Sequence, residues 1–484
     1  MNVRVIKKYK NRKLYDTKNK CHINLPKLKV LLDAGEQVKI INSQNDEDIT
    51  DIVLGRASAI HSTIDMNTKL IPATELDKLK RKVLDRIKLE QPFYFIDLFC
   101  GAGGLSCGLE MAGLECVFGT DMDKNAIETF KLNHKNAASF LGPIAELSEE
   151  LILSKIGNKE IKLIAGGPPC QGFSTIGKGD PNDEKNSLFN HYCRILKILR
   201  PEYLLFENVT GLVAKKNHTV LKTILEKFKE LGYSVNISVL ESQHYGVPQK
   251  RKRTILFGTR LRRRIDFPAP QFGITNNEGY IPARTVGDAL DKLQSITGAI
   301  FNHDLDKTKI ASDLTKERIK YIPEGRGIRY KKDEDEFLPD HLKLGIDWDT
   351  IKEGRLRELN LYRLDRQKPA PTINTKSHFY FHPVEDRKFT AREYASFQSF
   401  PSDFIFAGAN SSQIRQIGNA VPPLMAKALG QQIIKSYTCN DHSEDLIHKE
   451  INIDNIRSDA FTYDNFATLT KSRQEKKQEI VDRE

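Results

Sequence analysis

The chain is 484 residues long, 39% hydrophobic and 29% charged, a globular composition with room for two or three domains. No apolar run approaches the roughly 18 residues that cross a bilayer, and the basic first twenty residues lack the apolar stretch of a signal peptide. A soluble, cytoplasmic protein with no membrane contact is therefore expected.

The formal net charge is +11 and the pI about 9.0, and the charge is clustered. Residues 1–20 carry eight Lys or Arg against one acid, Asp16, and residues 249–264 carry eight with no acid at all. Such runs suit a polyanion, most often nucleic acid, although charge alone equally fits a solvated face. The seven cysteines are odd in number and none is spaced as CxxC. Neither a disulfide framework nor a metal site is expected, and most of the thiols read as small buried apolar groups.

In chain order, residues 1–60 read as a small basic module and 61–90 as a charged linker. From about 91 to 260 short apolar strands alternate with helices. FYFIDLF (Phe93 to Phe99) is a predicted strand, followed by the turn CGAGG and a helix from Leu105 to Ala112. CVFGTD (Cys116 to Asp121) is a second strand, with a helix from Asp123 to about Asn133. IKLIAGG (Ile161 to Gly167), YLLFENV (Tyr203 to Val209), VNISVL (Val235 to Leu240) and TILFG (Thr254 to Gly258) complete the set. The pattern predicts an α/β fold with a mostly parallel, doubly wound sheet, whose ligands bind beyond the carboxyl ends of the strands. Residues 261–387 are irregular, rich in Pro, Gly and Arg, and include the mixed-charge run KKDEDE at 331–336. TAREYASFQSF (Thr390 to Phe400) and PPLMAKALGQQI (Pro422 to Ile433) are helical again, and 438–484 is a polar tail.

Four motifs carry chemistry. DLFCGAGG (Asp97 to Gly104) puts glycines after a strand, where backbone can approach a ligand at a helix N-terminus. Asp121 ends the next strand, twenty residues past Gly101, where a carboxylate can bond ribose hydroxyls. Together they fit an adenosine-containing cofactor, without separating NAD from S-adenosylmethionine. GGPPCQGFS (Gly166 to Ser174) sets Cys170 on a loop stiffened by two prolines. A thiol at such a turn, unlike one within an apolar run, reads as a nucleophile. ENV places Glu207 at another strand end, where an unpaired carboxylate is costly. QKRKR (Gln249 to Arg253) leads into a strand, and alternation puts Gln249, Arg251 and Arg253 on one face, with Lys250 and Lys252 on the other.

From Phe93 to Ile433 the sequence resembles the cytosine-C5 DNA methyltransferase family. The order DLFCGAGG, Asp121, GGPPCQGFS, ENV, QKRKR, a variable segment, TAREYASFQSFP and QIGNAVPP (Gln416 to Pro423) is that family's order. The resemblance implies a Rossmann-like S-adenosylmethionine-dependent sheet with an inserted, loop-rich target-recognition domain at 261–387 and a return to the catalytic domain at 388–437. It implies that Cys170 is the nucleophile and that Glu207 and Arg253 contact the cytosine, with Arg251 grouped beside them. Asp97, Phe99, Gly101, Gly103, Asp121, Met122, Pro169 and Asn419 are then expected to form the S-adenosylmethionine pocket. Double-stranded DNA is the implied partner, the protein a monomer, and a restriction endonuclease encoded nearby its functional counterpart. In one place the chain departs from the pattern. Where many family members carry an adenine-contacting Asp, the stretch LGPI (Leu141 to Ile144) has Pro143, so no adenine-binding acid is assigned there.

Residues Val5 to Thr50 carry a second resemblance, through RKLYDT and EDIT, to the DNA-binding N-terminal domain of polyhydroxyalkanoate-synthesis regulators. It implies a small α+β module that binds DNA. Two other functions remain open at this point, methylation of transfer RNA and a non-catalytic DNA-binding role.

Overall fold

The computed structural model describes residues 91–169, 187–261, 265–276, 279–375 and 380–438, together with 4–8, 14–17, 21–23, 38–43, 48 and 50 near the N-terminus. The chain divides into two compact units at Lys88/Leu89.

In the N-terminal unit, β1 (Arg4–Lys8), β2 (Leu14–Asp16), β3 (Cys21–Ile23) and β4 (Val38–Asn42) form one sheet in the order β3-β2-β1-β4. β1 runs antiparallel to β2 and parallel to β4, and Ile6 and Ile40 are fully buried. The two motifs behind the second resemblance fall at places where the sheet is tied off. RKLYDT supplies β2 and the turn after it, where Thr17 Oγ1 donates to Val5 O at 2.7 Å. EDIT closes the β4 edge: Ile40 N donates to Thr50 Oγ1 at 2.8 Å, Thr50 Oγ1 donates to Asp48, and Asp48 pairs with Lys39 at 3.4 Å.

The larger unit is built on β5 (Tyr94–Leu98), α1 (Gly104–Met111), β6 (Glu115–Asp121), α2 (Lys124–Asn133), β7 (Ala138–Leu141), α3 (Glu149–Ile156), β8 (Ile161–Gly166), α4 (Ser187–Leu199), β9 (Tyr203–Asn208), α5 (His218–Glu230), β10 (Ser234–Glu241) and β11 (Lys252–Thr259). The seven strands lie in the order β10-β11-β9-β8-β5-β6-β7. β7, β6, β5, β8 and β9 are parallel, whereas β11 runs antiparallel to both β9 and β10.

Continuous apolar strands are required because both faces of the sheet are covered. Ile96, Leu98, Ile164, Leu204, Phe206 and Leu256 point into one core. The alternate residues Phe95, Leu163, Ala165, Leu205, Ile255 and Phe257 point into the other. Each large apolar side chain of this kind contributes about 1.5–3 kcal/mol on full burial. Asp123 starts α2 by accepting from Asn125 N and Ala126 N, and Ser148 caps α3 by accepting from Leu151 N.

Beyond the sheet come β12 (Ile274–Asn276), β13 (Gly279–Ile281), α6 (Val286–Gln294), α7 (Asp313–Ile319), β14 (Ile328–Tyr330), α8 (Lys331–Phe337), β15 (Arg355–Asn360), β16 (Tyr362–Arg363) and β17 (Tyr380–Phe381). The chain ends its described part with α9 (Ala391–Phe397), α10 (Asn410–Asn419) and α11 (Pro423–Thr438). A separate small core of Ile310, Ile319, Ile322, Ile328, Phe337, Leu342, Leu361 and Phe381 supports the inserted segment. Buried Arg363 stitches it together, donating to the carbonyls of Ile319, Ile322, His382 and Glu385 and to Asp386.

The run KKDEDE, which lies in the segment read as irregular and rich in Pro, Gly and Arg, is the helix α8. Asp333 caps it by accepting from Arg329 N and Tyr330 N, and Glu334 is buried as the acceptor for Trp348 Nε1 at 2.6 Å. Asp333 and Glu334 serve the helix start and one half-buried indole, roles that composition does not reveal.

Candidate active site

All the motifs meet at one edge of the sheet. The carboxyl ends of β5, β6, β8 and β9 lie together because these strands are parallel. β11 is antiparallel, so its amino end, which carries QKRKR, reaches the same edge. The neighbours β5 and β8 lead on to opposite halves of the sheet, and a ligand crevice forms at such a switch point.

The loop after β5 is held in a conformation that favours glycine. Phe99, Gly101 and Gly103 all have positive φ, at 62°, 53° and 89°. Its anchor is Asp121 at the end of β6: Oδ2 accepts from Gly101 N at 2.9 Å and Oδ1 from Asp123 N at 2.9 Å. Burial pushes the Asp121 carboxyl above its usual range, opposed by those main-chain donors. A Cβ on Gly101 would meet nothing within 4 Å, so the loop presents bare backbone to open space beside a carboxylate. Met122 stands 77% exposed at the rim.

Asp97 lies deeper than expected of a pocket residue. It is 1% exposed, accepts from Ser106 Oγ at 2.6 Å, and is pushed by burial up to about 7. It braces the start of α1 from below. From the other end of the chain, the segment that follows α10 reaches the same loop, with Asn419 exposed at the end of that helix. A Cβ on Gly104 would stand 2.6 Å from Val421 O, and one on Gly108 would collide with Pro423 O and Ala426. The glycines of α1 therefore let QIGNAVPP and α11 close against it.

The second half of the site lies across β8, β9 and β11. Glu207 Oε1 is 2.9 Å from Arg253 Nε, and each side chain is 13% exposed. Burial, the dominant influence, raises the Glu207 carboxyl above its usual range, against the pull of Arg253 and then Arg251. Gly167 has to lack a side chain, because a Cβ there would stand 2.6 Å from Glu207 Oε2. Asn208 Nδ2 donates to Pro168 O at 3.1 Å and ties ENV to the proline loop. That loop is described as far as exposed Pro169, and Cys170 lies outside the described residues. Burial raises the thiols of Cys107 and Cys193 to about 12, and those of Cys100 and Cys116 well above their ordinary value.

Arg251 shares the face of Arg253 but not its surroundings. It is 1% exposed and donates to Ile373 O at 3.0 Å and Gly418 O at 2.8 Å. Gln249, fully buried, accepts from Ile373 N at 2.9 Å, and Lys250 N donates to Ala370 O. The alternation of QKRKR is thus real, and exposed Lys250 lies on the other side. Two of the three inward residues hold the inserted segment's exit against the sheet.

Residues 93–435 match the family model for C-5 cytosine-specific DNA methylase. The chain belongs to that family. Among similar proteins, Type II methyltransferase M1.HphI of Haemophilus parahaemolyticus is 31% identical over 351 residues, spanning 71% of this chain and 87% of the relative. M.XorII of Xanthomonas oryzae pv. oryzae is 34% identical over 366 residues, spanning 70% and 84%. A crystal structure described as a DNA modification methyltransferase encoded within an Escherichia coli prophage superposes with a TM-score of 0.54 at 25% identity, covering 71% of this chain and 99% of that one. Seven strands in this order, with one antiparallel strand, form the Rossmann-like sheet of a C-5 cytosine methylase. Residues 5–59 match a second model, the PHB/PHA accumulation regulator DNA-binding domain. No helix among the described residues is long and apolar enough to cross a membrane.

Proposed function

We propose that the chain transfers a methyl group from S-adenosylmethionine to carbon 5 of cytosine in a specific duplex DNA sequence, as the modification enzyme of a restriction–modification system. The observation that carries this reading is the convergence, at one sheet edge, of the Asp121-anchored loop, the proline loop leading to Cys170, and the Glu207–Arg253 pair. The open face at Gly101 suits the backbone-lined approach of a nucleoside cofactor, with Asp121, Phe99, Met122, Pro169 and Asn419 around it.

The target carbon lies within the base stack, so the cytosine must leave the duplex to reach this edge. Cys170 adds as thiolate to carbon 6, the 5–6 double bond breaks, and its electron pair gathers at carbon 5. Glu207, whose burial favours a proton, hydrogen bonds ring nitrogen 3 and stabilises the charge that addition creates. Arg253 holds the exocyclic oxygen. The electron pair at carbon 5 takes the electrophilic methyl that S-adenosylmethionine would supply, as the sulfur–methyl bond breaks and S-adenosylhomocysteine is left. Loss of the carbon 5 proton restores the double bond and expels Cys170 as thiolate. Arg251, whose two terminal nitrogens donate to carbonyls, supports this pocket from behind.

Cys170 is the reacting sulfur by its place in GGPPCQGFS, and burial raises the thiols of Cys100, Cys107, Cys116 and Cys193 above their ordinary value. The same reading places the enzyme in the cytoplasm with its DNA, as a monomer, opposite an endonuclease of like specificity. Residues 1–60 serve as an auxiliary DNA-binding module. A methyl-transfer assay comparing duplex DNA with transfer RNA tests the substrate class. Incorporation into duplex that disappears in Cys170→Ser is expected; incorporation into transfer RNA alone overturns the reading.

A further inference from the structure

Behind the cofactor loop sits His134, which none of the roles above uses. It ends α2, and its side chain is 1% exposed. Nδ1 lies 2.7 Å from Glu110 Oε2 on α1, and Nε2 lies 3.2 Å from Gly103 O in the loop. The ring lies over Phe130, with centroids 4.4 Å apart, and meets the edge of Phe404 at 6.2 Å. A Cβ on Gly103 would overlap Nε2, so the glycine admits the imidazole as well as the turn. The site is built: ring packing fixes the plane, a carboxylate fixes one nitrogen, and the other nitrogen meets a main-chain carbonyl.

That carbonyl, which also accepts from Cys107 N of α1 at 2.8 Å, belongs to a glycine-rich loop. Gly101 and Gly103 both have positive φ, and glycine is the residue most costly to order. The front of the loop is tied by Asp121 to Gly101 N and by Gly103 N to Cys100 O. Its rear carbonyl is met by His134. We propose that His134, clamped by Glu110, is a positioning residue that presets the cofactor loop, so that the bare backbone at Gly101 is already in its binding geometry before the cofactor arrives. Preorganisation of this kind adds affinity by removing the cost of ordering the loop on binding. The inference rests on the methyltransferase reading of the loop.

The role separates from simple packing by what each substitution changes. Glu110 is one-third exposed, so Glu110→Ala cuts the clamp without opening the core, while His134→Ala removes clamp and ring together. Calorimetric titration with S-adenosylhomocysteine is expected to show affinity lower by about tenfold in His134→Ala and by a smaller factor in Glu110→Ala. Turnover at saturating S-adenosylmethionine and affinity for duplex should stay within about twofold of wild type. His134→Gln, which restores a donor toward Gly103 O, should recover part of the affinity. Unchanged affinity in both Glu110→Ala and His134→Gln overturns the proposal. So does a loss of turnover and duplex affinity that follows the fall in melting temperature, since that is general damage. Wild-type protein that binds no S-adenosylhomocysteine sinks the methyltransferase reading itself, a result distinct from either.

Discussion

Three carboxylates in this site, Asp97, Asp121 and Glu207, are raised by burial, and Glu207 and Asp97 differ in what surrounds them. Glu207 faces the Arg253 guanidinium at 2.9 Å, whereas Asp97 accepts from the neutral Ser106 hydroxyl at 2.6 Å. For Glu207 the proposed role is catalytic. Single-turnover rates of Glu207→Gln should fall well below wild type while the duplex dissociation constant changes little, and a loss confined to DNA affinity would contradict its role. For Asp97 the consequence is stability. Its carboxyl is held at about 7 in the folded protein against about 3.9 when unfolded. The folded state therefore binds the extra proton, and Asp97's contribution is fully present below the unfolded value and lost as pH rises through the folded one. Melting temperatures of wild type and Asp97→Asn, measured between pH 5 and 8, should diverge in the variant's favour as pH rises. Curves that stay parallel would show that Asp97 does not titrate in that window. Asp121→Ala should weaken S-adenosylmethionine binding by about 1–3 kcal/mol, the cost of giving up hydrogen bonds to a charged group, and equal affinities by titration would place the carboxylate outside the pocket's support.

At the scale of elements, much of the site was legible because strand ends are marked twice, by an apolar run and by the polar group that stops it. DLF, GTD, AGG and FEN each end a parallel strand within a residue or two of where the sequence puts it. What stayed hidden depends on approaches between residues far apart in the chain. Arg251 looks like Arg253 in sequence, and only the approach of Ile373 and Gly418 shows that its guanidinium is committed elsewhere. Arg392, fully buried in α9, likewise donates to the carbonyls of Phe301, Pro401 and Phe404, which a helix reading of TAREYASFQSF cannot convey. Asp97 belongs to the DLF motif in sequence but faces Ser106 beneath α1. The glycines of α1 are a further case, since their spacing is explained only by α11. Gly108→Val should force the two helices apart, because main chain and an alanine Cβ fill the space, at a cost of about 1–3 kcal/mol as overpacking does. Chemical denaturation checks this, and a variant as stable as wild type would mean that the helices do not close so tightly.

The whole molecule joins an enzyme of the cytosine-C5 family to a second unit that matches a DNA-binding domain. Phosphate contacts position a protein without specifying bases, so the N-terminal unit should act through affinity. A truncated chain starting near Glu90 should keep its target sequence and its single-turnover rate at saturating DNA. It should bind duplex more weakly, with the salt slope of log affinity shallower by about 0.9 for each phosphate no longer neutralised. Unchanged affinity and slope would remove DNA binding from residues 1–60. The proposed chemistry turns on one sulfur. Incubating the full chain and S-adenosylmethionine with duplex carrying 5-fluorocytosine at the target should trap a covalent complex, because fluorine cannot leave carbon 5 as a proton. Peptide mapping by mass spectrometry should find the base bonded to Cys170; an adduct on any other residue, or none under conditions where unmodified duplex is methylated, would contradict the mechanism.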